Sequence, residues 1–201
     1  MRELVIATRN PGKQRELELY LAGLDLECLA LDRFPDAPAA VEDGDTFLAN
    51  AQIKARALAR YANRYALADD SGIKVAALAG APGVFSARYA GPSATDERNN
   101  RKLLAELNRI PGASRAARFI CVLCVASPRG RTLVAEGACE GLILEAPRGT
   151  LGFGYDPLFY SPELKAAFGE VSPAEKLKVS HRGRALRELR RLIEAGELTR
   201  I

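Results

Sequence analysis

Two adjacent carboxylates, Asp69 and Asp70, follow the apolar run Tyr65-Ala66-Leu67-Ala68 and precede Ser71-Gly72. At the end of a strand the backbone is rigid and the next loop exposes side chains to a crevice. Oxygen ligands placed there can hold a hard divalent cation. The same residues also suit a plain turn, since Asp and Ser bond their own backbone and Gly supplies positive φ. The pair alone leaves both readings open.

Four other groups of residues decide what such carboxylates can act on. Thr8-Arg9-Asn10-Pro11-Gly12-Lys13 lies between a strand pattern and a helix pattern, where free amides, the positive helix end and Lys13 favour an anionic phosphate. It is not a Walker A loop, which needs an earlier glycine and a Ser or Thr where Gln14 stands. An ordinary helix start, with Asn10 as cap and Pro11 first, accounts for it equally. Glu42-Asp43-Gly44-Asp45 precedes a helix carrying Asn50 and Lys54 one turn apart on one face. A carboxylate from this segment can meet Asp70 at a metal, or serve as favourable charge at a helix N-terminus.

Gly152-Phe153-Gly154-Tyr155-Asp156 lets an aromatic ring lie open to a flat heterocycle with Asp156 in hydrogen-bond reach; an aromatic plug is the other reading. Lys176 precedes Ser180-His181-Arg182-Gly183, which holds the chain's single histidine in a polar loop at a helix start. That placement predicts a histidine outside the core. Zinc is disfavoured because partner His or Cys residues at ligand spacing are missing. Donors from Lys176, His181 and Arg182 suit carbonyl oxygens and ring nitrogens.

The elements that must position these residues alternate. A strand over Glu3–Thr8 leads to a helix with Leu17, Tyr20, Leu21 and Leu24 on one face, then to a short strand over Leu26–Leu31. Asp45-Thr46 caps a helix over about Phe47–Ala62, and the next strand ends at Ala68. The stretch from Gly72 to Gly91 is a long glycine-rich loop, and loops of that length usually serve function. Thr95 or Asp96 caps a helix to about Asn108. Two long strands, near Ala116–Ala126 and Thr132–Glu145, join at Ser127-Pro128-Arg129-Gly130-Arg131 as a hairpin. A short strand over Leu158–Tyr160 and a last helix from about Gly183 to Glu194 follow. No internal repeat or linker appears. Early strand-helix alternation with a later hairpin argues an α/β fold on a mixed twisted sheet with flanking helices, one domain over residues 1–201, with a substrate cleft between lobes.

Composition narrows the class. A chain of 201 residues with 48% hydrophobic content can bury a sizeable core without staples. Cys28, Cys121, Cys124 and Cys139 lack disulfide-framework spacing, which favours a reducing cytoplasm. Cys121 and Cys124 fall in a strand pattern that sends their sulfurs to opposite faces, against zinc or redox use. The first apolar run is too short for a signal peptide, and no segment reaches membrane-spanning length. A net charge of +4 leaves nucleic acid open on electrostatic grounds. Much of that charge is terminal: Arg182, Arg184, Arg187, Arg190, Arg191 and Arg200 crowd the last twenty residues and read as a solvated face on a final helix. With 6% aromatic residues there are few stacking platforms, so no stable nucleic-acid partner is expected.

Taken together and in order, Thr8 to Lys13, Ala68-Asp69-Asp70-Ser71-Gly72, Gly80-Ala81-Pro82-Gly83-Val84-Phe85-Ser86-Ala87-Arg88-Tyr89, Gly152 to Pro157 and Ser180 to Gly183 resemble the inosine triphosphate pyrophosphatase or Ham1-like family. The likeness covers nearly the whole chain. It implies an elongated two-lobed α/β fold around a central substrate cleft, usually a homodimer. The implied reaction is Mg²⁺-dependent hydrolysis of deaminated purine triphosphates such as ITP, dITP and XTP to monophosphate and pyrophosphate. Carried over by position, Thr8, Arg9, Asn10, Pro11, Gly12 and Lys13 would hold the triphosphate with Lys54 and Ser71. Asp70 would be the catalytic carboxylate, and Glu42 and Asp70 the metal ligands. Phe153, Gly154, Tyr155, Asp156, Lys176, His181 and Arg182 would form the base pocket. The chain departs from the family at Val41-Glu42-Asp43-Gly44, which retains one glutamate of a common pair, and at Ala49-Asn50-Ala51, where a glutamate often precedes the Asn. The competing readings are a Maf-like pyrophosphatase for other modified nucleotides and a basic nucleic-acid-binding module without catalysis.

Overall fold

The computed structural model describes residues 2–201. β1 (Arg2–Ile6) buries Leu4, Val5 and Ile6 and turns into α1 (Pro11–Leu21). The Asn10 side chain accepts hydrogen bonds from the Gly12 and Lys13 amides, two donors that the first helical turn leaves without intrahelical acceptors. α1 packs beside β2 (Leu26–Ala30), which runs parallel to β1 in the register Leu4 to Cys28. α2 (Phe47–Ala62) starts where Thr46 caps the Ala49 amide, ends at the left-handed Asn63 and packs on β1.

β3 (Tyr65–Val75) is parallel to β1 and corrects one expectation. The strand does not stop at Ala68; it continues through Asp69, Asp70, Ser71 and Gly72. Gly72 has no left-handed φ, so it is not a turn glycine. Its missing side chain instead admits Ser86, whose Oγ accepts from the Ile73 amide at 2.9 Å and donates to the Gly83 carbonyl at 2.6 Å. A Cβ at position 72 would run into that hydroxyl. The long loop that follows is built on two 3-10 turns, Ala76–Leu78 and Gly83–Arg88.

α3 (Asp96–Asn108) is capped by Thr95 and buries Leu103 and Leu107. β4 (Ala116–Ala126) and β5 (Thr132–Ile143) are sheet neighbours. The Ser127–Arg131 connection, closed by the Ser127 amide on the Arg131 carbonyl, is too short for a parallel crossover, so it makes a hairpin. β6 (Phe159–Ser161) and β7 (Ala166–Ala167) add antiparallel strands, giving a seven-stranded mixed sheet in the order β2-β1-β3-β4-β5-β6-β7. The sequence reading missed β7 and also α4 (Pro173–Val179), seven residues started by a Ser172–Glu175 capping box. α5 (His181–Glu194) begins two residues earlier than expected.

The chain divides into two compact units. The first comprises residues 1–70, 121–137 and 185–201, the second 71–120 and 138–184, so the divisions fall inside β3, β4, β5 and α5. In the second unit Phe119, Phe159 and Phe168 cluster with Ile73, Val75, Leu103 and Leu107, the Phe119 and Phe159 rings 4.6 Å apart. In the first, Leu4, Val5, Ile6, Leu17, Leu29 and Leu58 are buried with the small residues Ala51, Ala55 and Ala59 of α2. Alanines at this spacing let a helix lie close on a sheet.

Candidate active site

In the first unit the charged side chains converge on the aspartate pair. Asp69 is wholly buried and accepts from Lys13 Nζ at 2.5 Å, with the Cys121 thiol 3.4 Å from its other oxygen. Asp70 Oδ1 accepts from Lys54 Nζ at 2.7 Å; the same ammonium reaches the Asp69 carbonyl at 3.0 Å and Glu42 at 3.4 Å. Alternating strand geometry sends Asp69 and Asp70 to opposite faces, and each meets its own lysine. The second oxygen of Asp70, Oδ2, is buried and has no hydrogen-bond partner.

Burial pushes the Asp70 carboxyl above the usual aspartate range, and Lys54 and Lys13 only partly offset it. Lys54 loses solvation in turn, yet Asp70, Glu42 and Asp69 together hold its pKa above the ordinary lysine value. Asn50, one turn before Lys54, accepts from the Gly44 amide and so tethers the segment that carries Glu42. A Cβ at Gly44 would press on Ala49 and Asn50. The Glu-Asp-Gly sequence hinted at charge before a helix; the tether had no local signal.

Thr8, Arg9, Glu42 and Lys54 line a cavity of about 220 Å³ walled by residues 37–40. Thr8 Oγ1 accepts from the Asn10 amide, which bends the chain toward α1. Asn10 and Gly12 stand at the helix start as expected, with two Asn10-bound amides and Lys13 in the first turn. Pro11 occupies an opening position of the helix, but its side chain lies outside the described residues.

The second unit gathers the aromatic group. Phe153 is half-buried, with Lys176 Nζ 4.5 Å and Arg182 Cζ 5.4 Å from its ring centre. Asp156 accepts from the Phe153 amide at 2.9 Å and from Lys176 Nζ at 2.6 Å, an ion pair whose side chains are 3% and 4% exposed. Arg182, 1% exposed, donates to Ser71 Oγ at 3.0 Å, which places Ser71 beside Arg182 in the second unit. Its burial overturns the solvated reading of that arginine.

His181 is also corrected. It is buried rather than set in a polar loop, stacked on Phe119 with ring centres 4.5 Å apart. Gly183, two residues on, leaves no room for a Cβ against the Leu177 carbonyl, which seats the start of α5 on the end of α4. Tyr155 belongs to the core: its ring is buried and its hydroxyl donates to the Ser86 carbonyl at 2.8 Å. Gly154 stands beside Phe153 in the left-handed conformation, φ +63°. Ser86 itself was passed over, although the small-residue run around it was the signal for close backbone approach.

Among the described residues no three metal-ligating side chains cluster. Glu42 and Asp70 supply two carboxylates, one with a buried oxygen that has no protein partner. That donor set suits Mg²⁺, which is commonly held by one or two carboxylates while phosphates and water complete its shell.

Relatives match this chain along nearly its full length. A dITP/XTP pyrophosphatase of Syntrophobacter fumaroxidans is 57% identical over 188 residues, 94% of this chain and 80% of its own length. One of Geobacillus kaustophilus is 51% identical over 189 residues, 94% of this chain and 93% of its own. Among solved structures, a HAM1 protein from Coxiella burnetii superposes with a TM-score of 0.91 at 41% identity, covering 97% of this chain and all of its own. A dITP/XTP pyrophosphatase from Mycobacterium abscessus gives 0.75 at 40% identity, covering 93% and 97%. The Ham1 family profile matches residues 4–192, and this chain belongs to the Ham1 family.

Proposed function

We propose that this protein hydrolyses the deaminated purine triphosphates dITP, ITP and XTP to the nucleoside monophosphate and pyrophosphate. The observation that carries the reading is Asp70, a buried carboxylate with one oxygen on Lys54 and the other without a protein partner. Such a group is set to accept a proton or bind a cation rather than to stabilise the fold. Relatives at about half identity carry the name dITP/XTP pyrophosphatase, which supports the same substrate class here.

In this reading Asp70 orients the attacking water and takes its proton. Lys54 and Lys13 offset charge that develops on the phosphoryl oxygens. Thr8, Arg9 and Asn10 would offer side-chain donors to the rest of the triphosphate beside the helix start, where Gly12, without a side chain, leaves room for it. Glu42 and Asp70 would hold Mg²⁺, which when bound supplies Lewis-acid polarisation of a phosphoryl oxygen.

Phe153 offers a face to the purine, and Lys176 and Arg182 offer donors to a carbonyl at C6, where adenine presents an amino group. A site organised around such donors disfavours adenine because the mismatch leaves buried polar groups unpaired. Buried His181 serves as a stacked support at the start of α5. We also propose a homodimer in a reducing cytoplasm; the four free thiols fit that compartment. Among the described residues no helix is long and apolar enough to cross a membrane.

Pyrophosphate release from dITP, ITP, XTP, dUTP, ATP and GTP, with and without Mg²⁺, tests the proposal. Comparable kcat/KM for ATP, GTP and ITP would exclude it. Light scattering on an eluting peak tests the dimer.

A further inference from the structure

We infer that Asp96 and Asn100 of α3 are positioning residues for Phe153, and through it for the affinity with which a purine base is held. The inference rests on the proposed base-binding role of Phe153. Asp96 and Asn100 lie four residues apart, on one face of the helix. Asp96 Oδ2 accepts from the Gly154 amide at 2.7 Å, and Asn100 Nδ2 donates to the Gly154 carbonyl at 2.9 Å. With the Phe153 amide held by Asp156, every peptide group from the Phe153 nitrogen to the Gly154 carbonyl, the Phe153 carbonyl aside, is fixed by a side chain.

Packing is incomplete on the α3 side of this loop. A cavity of about 550 Å³ is lined on one side by Asp96, Asn100 and Leu104 and on the other by Leu151, Phe153 and Gly154. A loop flanked by empty space and carrying two left-handed glycines, Gly152 and Gly154, has room to move. The two hydrogen bonds from α3 act together with the Asp156 bond to the Phe153 amide and the cations beside its ring to hold it against that freedom. The helix is a stiff ruler, with Leu103 and Leu107 buried in the aromatic core.

Asn100 also stands as a stability cost. Its Oδ1 is buried without a partner, although its amide nitrogen is satisfied. Leucine, of similar volume, removes that acceptor but also leaves the Gly154 carbonyl without its Asn100 donor, so it isolates the anchoring bond without opening a cavity.

Steady-state pyrophosphate release from ITP, with thermal melting of the same full-length samples, tests the inference. Asn100→Leu and Asp96→Ala should each raise KM for ITP about fivefold with kcat within about twofold, the loss of one loop hydrogen bond read as binding. Asn100→Leu should still melt cooperatively as a folded protein, while Asp96→Asn, which keeps an acceptor for Gly154, should restore KM to within about twofold. Phe153→Ala is run alongside as the reference. If Phe153→Ala raises KM and neither α3 variant does, the positioning role is refuted while the base-side reading stands. If the variants lower kcat at unchanged KM, the role is refuted too. If Phe153→Ala itself leaves KM unaltered, the base-side reading fails and the inference with it.

Discussion

Lys54 Nζ stands 2.7 Å from Asp70 Oδ1 and 3.0 Å from the backbone carbonyl of Asp69. One ammonium therefore ties the Asp70 carboxylate to the strand that carries it, while Lys13 and the Cys121 thiol meet the buried Asp69 carboxylate. The two aspartates differ in their contacts: Asp69 meets Lys13 at the helix start, and Asp70 keeps a buried oxygen without a hydrogen-bond partner.

Asp70→Asn should lower kcat by about 10²- to 10⁴-fold, the usual range for losing a positioned acid or base. The melting temperature should stay close to that of the parent, because the amide is neutral and Lys54 keeps Glu42 and the Asp69 carbonyl. Activity within tenfold of the parent would exclude Asp70 as the essential carboxylate.

The acid limb of the pH profile should move when Lys54 is removed. Asp70 must be ionised to act, and burial already sets its protonation above the ordinary aspartate range while Lys54 opposes that shift. Lys54→Met removes the opposition, so the limb in kcat/KM should shift to higher pH. For stability the sign runs the other way along the scale. Desolvation lowers the Lys54 pKa, but Asp70, Glu42 and Asp69 raise it further. Its contribution is thus present below the ordinary lysine pKa and lost as pH rises through the elevated value. Parallel melting curves of parent and variant across alkaline pH would show no convergence if this were wrong.

Gly152→Ala should cost about 1–2 kcal/mol of stability, because position 152 is left-handed. Its Cβ would also displace the Asp156 carboxylate, the acceptor for Phe153 and Lys176. We expect a higher KM for ITP as well as a lower melting temperature. Gly154→Ala, strained in φ but with open space around its Cβ, should lower stability with less effect on Asp156.

Breaking the buried Lys176–Asp156 pair should be costly. Lys176→Met leaves a carboxylate nearly without solvent, a loss of about 3–5 kcal/mol by analogy with other buried pairs. Lys176→Met combined with Asp156→Asn should recover part of that stability without recovering discrimination between ITP and ATP. Denaturant melts and a two-substrate assay separate the two effects.

Thiol titration should find Cys28 alone reactive in the native protein. Burial pushes Cys124 up to about 12 and Cys139 up to about 11, and Cys121 is buried against Asp69. Cys28 is half-buried, and burial with Glu18 raises it as well, so its reaction should be slow. Four equivalents after unfolding and about one before is the expected pattern.

The starts of α1, α2 and α3 and the hairpin were legible in the residues alone. Asn10 and Pro11, Thr46, Thr95 and the Ser127–Arg131 turn act on partners within a few positions, so local chemistry determines them. The residue types of the site were legible for the same reason, as helix-start donors, paired carboxylates and an aromatic between glycines. What tertiary structure decided was the fate of each charge and the course of β3. Ser86 makes Gly72 a point of close approach, and the sheet carries the strand past the aspartates to Val75. His181 and Arg182 looked exposed by composition, yet a stacked Phe119 and a Ser71 hydroxyl receive them inside. The partners of Lys13 and Arg182 are 56 and 111 residues away along the chain. No window of neighbouring residues holds such a pairing, because the cost of burying a charge is met only by whatever the folded chain brings beside it.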